Sequence, residues 1–309
     1  MQKFVLIFLS VLLAKHSQAQ YNTPINTSSI SIQPKIGYSL SKSSFNIAGN
    51  EMGQDPNVLS ELIWSSTHSL ESGVNVTFSR NKFQIDADIT INETIMGNVS
   101  DFDYKGDNRT LDYSKSFSRN DKGFGYSLKL QPGYSIIQTK ELTITPFLSI
   151  DYSYKKLNIL NDEDWDKKNP RYIDNLNSYY KYKFPNYGAG VAMQYGLSKN
   201  WSTQLAVEGY LAKYYAYGNW NNNANFEKPR SFEHKGNGKK LASNLGLSYN
   251  IDKNICLGVN YNLNHFSVSN GKDYLYTLDE GLKKARLNNA NEIKHAFLMS
   301  LRFSVPLFN

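Results

Sequence analysis

Two carboxylates one residue apart, Asp101 and Asp103, lie in the segment Gly97-Asn98-Val99-Ser100-Asp101-Phe102-Asp103-Tyr104. A carboxylate held beside a like charge is pushed to a higher pKa and can act as a base. The plainer reading of the same spacing is two solvated acids where a strand ends. Phe232-Glu233-His234 places an imidazole beside an acid, and Ser114 follows Asp112-Tyr113 with no adjacent histidine to make a Ser-His-Asp arrangement. Neither a glycine-rich phosphate loop nor a clustered His/Cys metal signature appears. The single cysteine, Cys256, excludes an internal disulfide and any multi-thiolate metal site, and reads as a small filler on a strand.

The elements that must carry these residues are strands. Lys3, the apolar run Phe4 to Ala14 and the small-x-small site Ser17-Gln18-Ala19 read as a secretory signal peptide over residues 1–19, leaving 20–309 as one domain. The rest of the chain has no apolar run long enough for a transmembrane helix. Mean hydropathy is −0.51, yet 14% of residues are aromatic, with 22 tyrosines. An exported, polar, Tyr-rich chain fits a transmembrane barrel, whose strands are apolar only at alternate positions. Such alternation is plain at Phe83, Ile85, Ala87, Ile89 and Ile91, at Leu142 to Tyr154, at Ile255 to Leu263 and at Phe297 to Leu307.

Short polar turns recur at Arg80-Asn81-Lys82, Thr139-Lys140-Glu141, Ser198-Lys199-Asn200 and Asp252-Lys253-Asn254. Between them lie longer polar stretches at Gly49–Asn57, Lys105–Lys122, Asn161–Ser178, Asn221–Gly238 and Thr277–Asn289. Four turns and five loops predict an all-β, ten-stranded antiparallel transmembrane β-barrel that stands above the bacterial outer membrane. Both termini and the short turns are expected in the periplasm, with the long loops outside. Closure of the sheet removes its edges, which is what admits β-structure to lipid. Asp86 and Asp88 point inward by strict alternation, and with Lys155 and Gln204 they are expected to bridge the lumen. Asp101 and Asp103 are in phase with lipid-facing Phe83 and Ile85, so a bulge near Gly97 must turn them inward. His265 and His295 share parity with lipid-facing residues. The basic charge of +7 suits membrane rims and anionic headgroups. Export and the absence of a recognition motif exclude a nucleic-acid partner.

Ten long strands, five loops and the Leu59–Tyr104 hairpin resemble the omptins, the outer-membrane proteases of Gram-negative bacteria. Leu59-Ser60-Glu61-Leu62-Ile63-Trp64 is similar to the start of that family's second strand, and Lys183-Phe184-Pro185-Asn186-Tyr187-Gly188 to the start of its sixth. Gly97 to Tyr104 resembles the Gly-Asn-x-x-Asp-x-Asp-aromatic segment that carries the family's Asp pair. The resemblance implies an endopeptidase in which Asp101 and Asp103 activate water, with lipopolysaccharide as an activating lipid and no other cofactor. It also implies an Asp-x-His pair on the facing wall. Here that place reads Asn221-Asn222-Asn223-Ala224-Asn225-Phe226, and asparagine takes no proton near neutral pH. His234, a few residues on, is the loop imidazole that can stand in. Two other functions remain open at this point. One is an inactive barrel binding a peptide or host protein through loop aromatics such as Tyr179, Tyr180, Tyr182, Tyr214, Tyr215, Tyr217 and Trp220. The other is a narrow channel. Oligomeric state is open.

Overall fold

The computed structural model describes residues 28–161 and 175–308. The signal-peptide reading and most of the expected 161–178 loop lie outside them. Strands β1 (Ser28–Ile47), β2 (Ser60–Arg80), β3 (Phe83–Gly106), β4 (Thr110–Arg119), β5 (Phe124–Tyr134), β6 (Ile137–Gln138), β7 (Leu142–Leu160), β8 (Asn177–Gly196), β9 (Trp201–Asn219), β10 (Phe232–Asn250), β11 (Ile255–Thr277) and β12 (Gly281–Phe308) form one antiparallel sheet. It closes on itself where β2 pairs with β3.

Twelve strands are present where the turn pattern predicts ten, and the difference is local. β4 and β5 follow one another along β3, from Asn98↔Arg119 upward and from Glu93↔Phe124 downward, so together they fill one place in the wall. The break falls at Asn120, which turns wholly into the interior and bonds the Thr67 hydroxyl and the Asn158 amide. β6 is a two-residue piece against β7. The ring therefore has ten places.

Two of the expected long loops are hairpins instead. β3 and β4 are joined by a turn at Asp107–Arg109, and β11 turns into β12 between Thr277 and Gly281, where Gly281 takes a φ of +72°. At these two tips, clear of both the apolar band and the interior plug, most side chains are exposed, so the apolar alternation that marks a strand in sequence fades there.

Outward residues in the half of the barrel nearest the short turns are mostly apolar: Ile32, Ile36 and Leu40 on β1, Phe83, Ile89, Ile91, Ile95 and Met96 on β3, and Phe297 to Leu307 on β12. Tyr134 and the paired rings of Trp201 and Tyr249 lie at the short-turn edge of this band, with Tyr38, Tyr187 and Tyr261 toward its other edge. The strands run 19 to 28 residues on most of the wall, against about 9–11 needed to cross a bilayer. The barrel accordingly extends well past the band at its loop end.

The lumen has two stories. Near the short turns is a polar chamber of about 500 Å³. Its lysines each face an acid: Lys35–Asp88 at 2.6 Å, Lys129–Glu208 at 3.0 Å, Lys294–Glu71 at 2.6 Å, and Lys240–Asp151. Pairing is what allows charge inside a barrel, because an isolated buried ion is prohibitively costly. Asp86 accepts from Thr77 and Gln84, so both inward acids of β3 belong to this network, as their parity predicts. Lys155 crosses from β7 to Glu292 on β12 at 3.2 Å and to Ser41 at 3.1 Å. Above this bridge the lumen is filled by a plug of Phe45, Leu62, Trp64, Leu157, Tyr180 and Phe232 with their neighbours. Tyr180, Tyr182 and Tyr214, which read in the sequence as loop or girdle aromatics, point inward and belong to the plug.

Candidate functional site

Phase along β3 decides where its two aspartates point. From Phe83 to Ile95 the odd-numbered side chains face lipid, but Met96 also faces out, and beyond it Val99 is buried opposite Trp64. The β2–β3 register shifts on both sides of the His68↔Met96 pair. Two outward residues in succession reverse the alternation, one residue before Gly97. Asp101 then stands opposite buried Leu62 on β2 and Ser116 on β4, and Asp103 opposite Ser60 and Ser114. Directly opposed residues of an antiparallel pair share a face. Both carboxyls thus face the interior beyond the apolar band, Asp101 in the row of the plug residue Leu62 and Asp103 one row above it. Burial, reinforced by the neighbouring Asp103 charge, pushes the Asp101 carboxyl up to about 8. At neutral pH Asp101 holds a proton that a solvated carboxyl would have released. On the outer face of the same hairpin the Arg109 guanidinium forks onto the Glu61 carboxylate at 2.9 and 3.0 Å, tying the tip of β3–β4 to β2.

His234 is on strand β10 rather than in a loop, and it has no exposed surface. Its Nδ1 is 2.7 Å from the Tyr180 hydroxyl, which is 2.7 Å from that of Tyr214. Its Nε2 is 3.1 Å from Oδ1 of Asp273, directly opposite on β11. Phe45, Tyr180 and Phe232 pack around the ring, with the Phe45 centroid 4.6 Å away. Burial pushes the Tyr180 and Tyr214 hydroxyls up, so both remain neutral hydrogen-bonding groups. His234 is thus a member of the plug, and its polar and ring partners come from β1, β8, β10 and β11, none from β3.

The asparagines that replace the expected Asp-x-His have structural tasks. Asn221 accepts from the Asn177 amide and the Ser178 hydroxyl, Asn223 from the Asn225 amide, and the Asn225 side chain donates to Asp279. They stitch the β9–β10 loop to β8 and β11. Sequence reasoning missed Asp273 and Tyr180 as partners of His234, and Tyr214 as the partner of Tyr180; the even parity shared by Tyr180, Tyr182 and Phe184 is the one signal that marks β8 as lining the interior. Among the described residues no group of three or more His, Cys, Asp or Glu side chains is arranged to hold a metal ion.

A sequence model of the Protochlamydia outer membrane protein family, Pom, matches residues 35–298. The chain belongs to this family. The family places it in the bacterial outer membrane, in agreement with the closed sheet and its apolar band. No curated protein sequence matches the chain. Among solved structures, the outer membrane protease OmpT from Escherichia coli is similar with a TM-score of 0.68 at 11% identity, covering 90% of this chain and 97% of its own. The translocator domain of the autotransporter NalP from Neisseria meningitidis matches with a TM-score of 0.39 at 9% identity, covering 98% and 94%. The attachment invasion locus protein Ail of Yersinia pestis matches with a TM-score of 0.29 at 9% identity, covering 91% and 99%. At such identity the OmpT likeness is one of fold, and the family shown by sequence is the Protochlamydia one.

Proposed function

We propose that this member of the family is a surface endopeptidase whose acid–base pair is Asp101 and Asp103, with the loop end of the barrel facing outward. The observation that carries the reading is the pair of inward carboxyls at the outer rim of the apolar plug, Asp101 opposite Leu62 and Asp103 opposite Ser60. Asp101 keeps its proton near neutrality, which leaves Asp103 as the member that takes one from water. The water oxygen bonds to the scissile carbonyl carbon while Asp101 donates a hydrogen bond to the carbonyl oxygen. On collapse the C–N bond breaks, and the proton received by Asp103 passes to the departing amine. His234 is assigned to the floor of the cleft, where with Asp273 and Tyr180 it stiffens the plug without touching water. The omptin-like fold agrees with this reading, and the substrate is an extended peptide or the exposed loop of a host protein.

Outward tyrosines and cations on β7 to β11 beyond the apolar band support an anionic lipid partner, lipopolysaccharide. Lys181 lies 4.4 Å over the Tyr179 ring, Lys183 5.1 Å over Tyr215 and Lys235 5.2 Å over Tyr274.

A second reading, a binding barrel without catalysis, is favoured by the enclosure of His234 and the asparagines on the facing wall. The channel reading is opposed by the plug, which interrupts the polar lumen. Refolded protein with lipopolysaccharide, offered a mixed-sequence peptide library, separates the first two. Cleavage that disappears in Asp101→Asn and Asp103→Asn and survives in His234→Phe supports the carboxyl pair. No cleavage by folded wild type leaves the binding barrel standing.

A further inference from the structure

Besides His234, three histidines are described, and all three occupy one patch of the outer wall. His68 on β2 is opposite Leu40 of β1, and Leu40 is opposite His295 of β12, so these two imidazoles share one row of the sheet. His295 is opposite Leu263 of β11, and His265, two residues further along, is opposite Ile293 in the next row. Strand spacing puts His68 and His295 about 10 Å apart across Leu40. His265 and His295 are diagonal neighbours, about 7–8 Å apart. The patch lies where the apolar band ends. One row nearer the lipid are Leu70, Tyr38, Phe297 and Tyr261, and one row beyond is Lys42. Two of the imidazoles are oriented: the Tyr38 hydroxyl meets Nδ1 of His68, and the Tyr261 hydroxyl is 2.7 Å from Nδ1 of His295. In each case the tyrosine engages Nδ1; these two histidines are half-buried, and His265 is exposed.

We propose that this face is an acid-switched docking site for the phosphate of a membrane-lipid headgroup. Imidazole is the side chain whose charge changes between pH 5 and 8, and the interface between apolar band and water is where lipid phosphates lie. The other charged or titratable groups on this outer face are Lys42 on β1, Lys239 on β10, Glu93 on β3, and the two tyrosines. One acid against two lysines leaves a modest positive potential at neutral pH and a strong one once three imidazolium charges are added. The site is independent of Asp101 and Asp103, which point into the lumen.

The test uses the full barrel refolded in phosphatidylcholine vesicles containing spin-labelled phosphatidylglycerol, a phosphodiester whose own charge is constant over this interval. The reading is the selectivity of the lipid shell for phosphatidylglycerol over phosphatidylcholine at about pH 7.5 and about pH 5.5. Wild type should gain at least about fivefold on acidification, the effect of a single added charge at such a surface. The His68→Gln/His265→Gln/His295→Gln variant, with its fold checked by heat-resistant gel migration, should show no gain. Lys42→Gln should lower selectivity at both pH values and leave the acid gain in place. A flat wild-type response, or an equal gain in the triple variant, overturns the proposal. Displacement of the labelled lipid by millimolar inorganic phosphate overturns the choice of a lipid-borne phosphate.

Discussion

Asp101→Asn should make the barrel more stable, and increasingly so as the pH rises from about 4 to about 8. A carboxyl displaced from 3.8 to about 8 by the fold loses about 1.4 kcal/mol of ionised-state stability per pH unit, so the full displacement amounts to about 6 kcal/mol. Asp101 keeps part of its surface in water, so about 6 kcal/mol is the upper bound of the effect. The sign follows from proton binding. Between the two pKa values the folded state holds a proton that the unfolded chain has released, so stability falls with rising pH and levels off above about 8. Asparagine keeps the shape of the side chain and does not titrate. The assay is reversible urea unfolding in lipid vesicles, comparing midpoints for wild type and variant at about pH 4 and about pH 9. The two midpoints should nearly coincide at the acid end and separate at the alkaline end. Asp103→Asn should recover a smaller part of the gain, because burial and not its neighbour is the first cause of the shift. Equal midpoints at both pH values, or a variant less stable at alkaline pH, would refute the placement of Asp101 in a poorly solvated interior.

Other consequences are open to measurement. Leu157→Ala, at a wholly buried plug position, should cost about 3–5 kcal/mol in the same unfolding assay. Wild type should carry no steady ion current in a planar bilayer. The Phe45→Ala/Trp64→Ala/Tyr180→Ala variant, which empties the centre of the plug, should show one. Glu292→Ala strands the Lys155 ammonium that crosses the lumen and should destabilise the barrel by about 3 kcal/mol, with Lys155→Met on the same background restoring most of the loss.

The chain announces its strands only where lipid compels it to. Leu142 to Tyr154 and Phe297 to Leu307 alternate because one face meets hydrocarbon and the other a polar chamber, and that contrast is written residue by residue. At the exposed tips, clear of lipid and of the plug, the contrast vanishes, so β4 and the tip of β11–β12 read as loop although they are strand. The inward turn of Asp101 depends on the doubled outward step at Ile95 and Met96, and the parity of β3 calls for such a step near Gly97. The His234–Asp273 pair was not legible. It depends on the β10–β11 register, which shifts between Lys235 and Gly238, and on two tyrosines that sequence alone places equally well at the mouth. Asn120, which divides one wall strand into β4 and β5, carries no mark in the sequence beyond its place in a polar stretch.

The most direct test of the account is the pH dependence of peptide cleavage by the folded barrel. A carboxyl pair that works by sharing a proton should lose activity as the pH rises through about 8, where Asp101 gives up its proton, and His234→Phe should leave that inflection in place. A rate that instead rises through the imidazole range and flattens in His234→Phe would contradict the account and return the histidine to the chemistry.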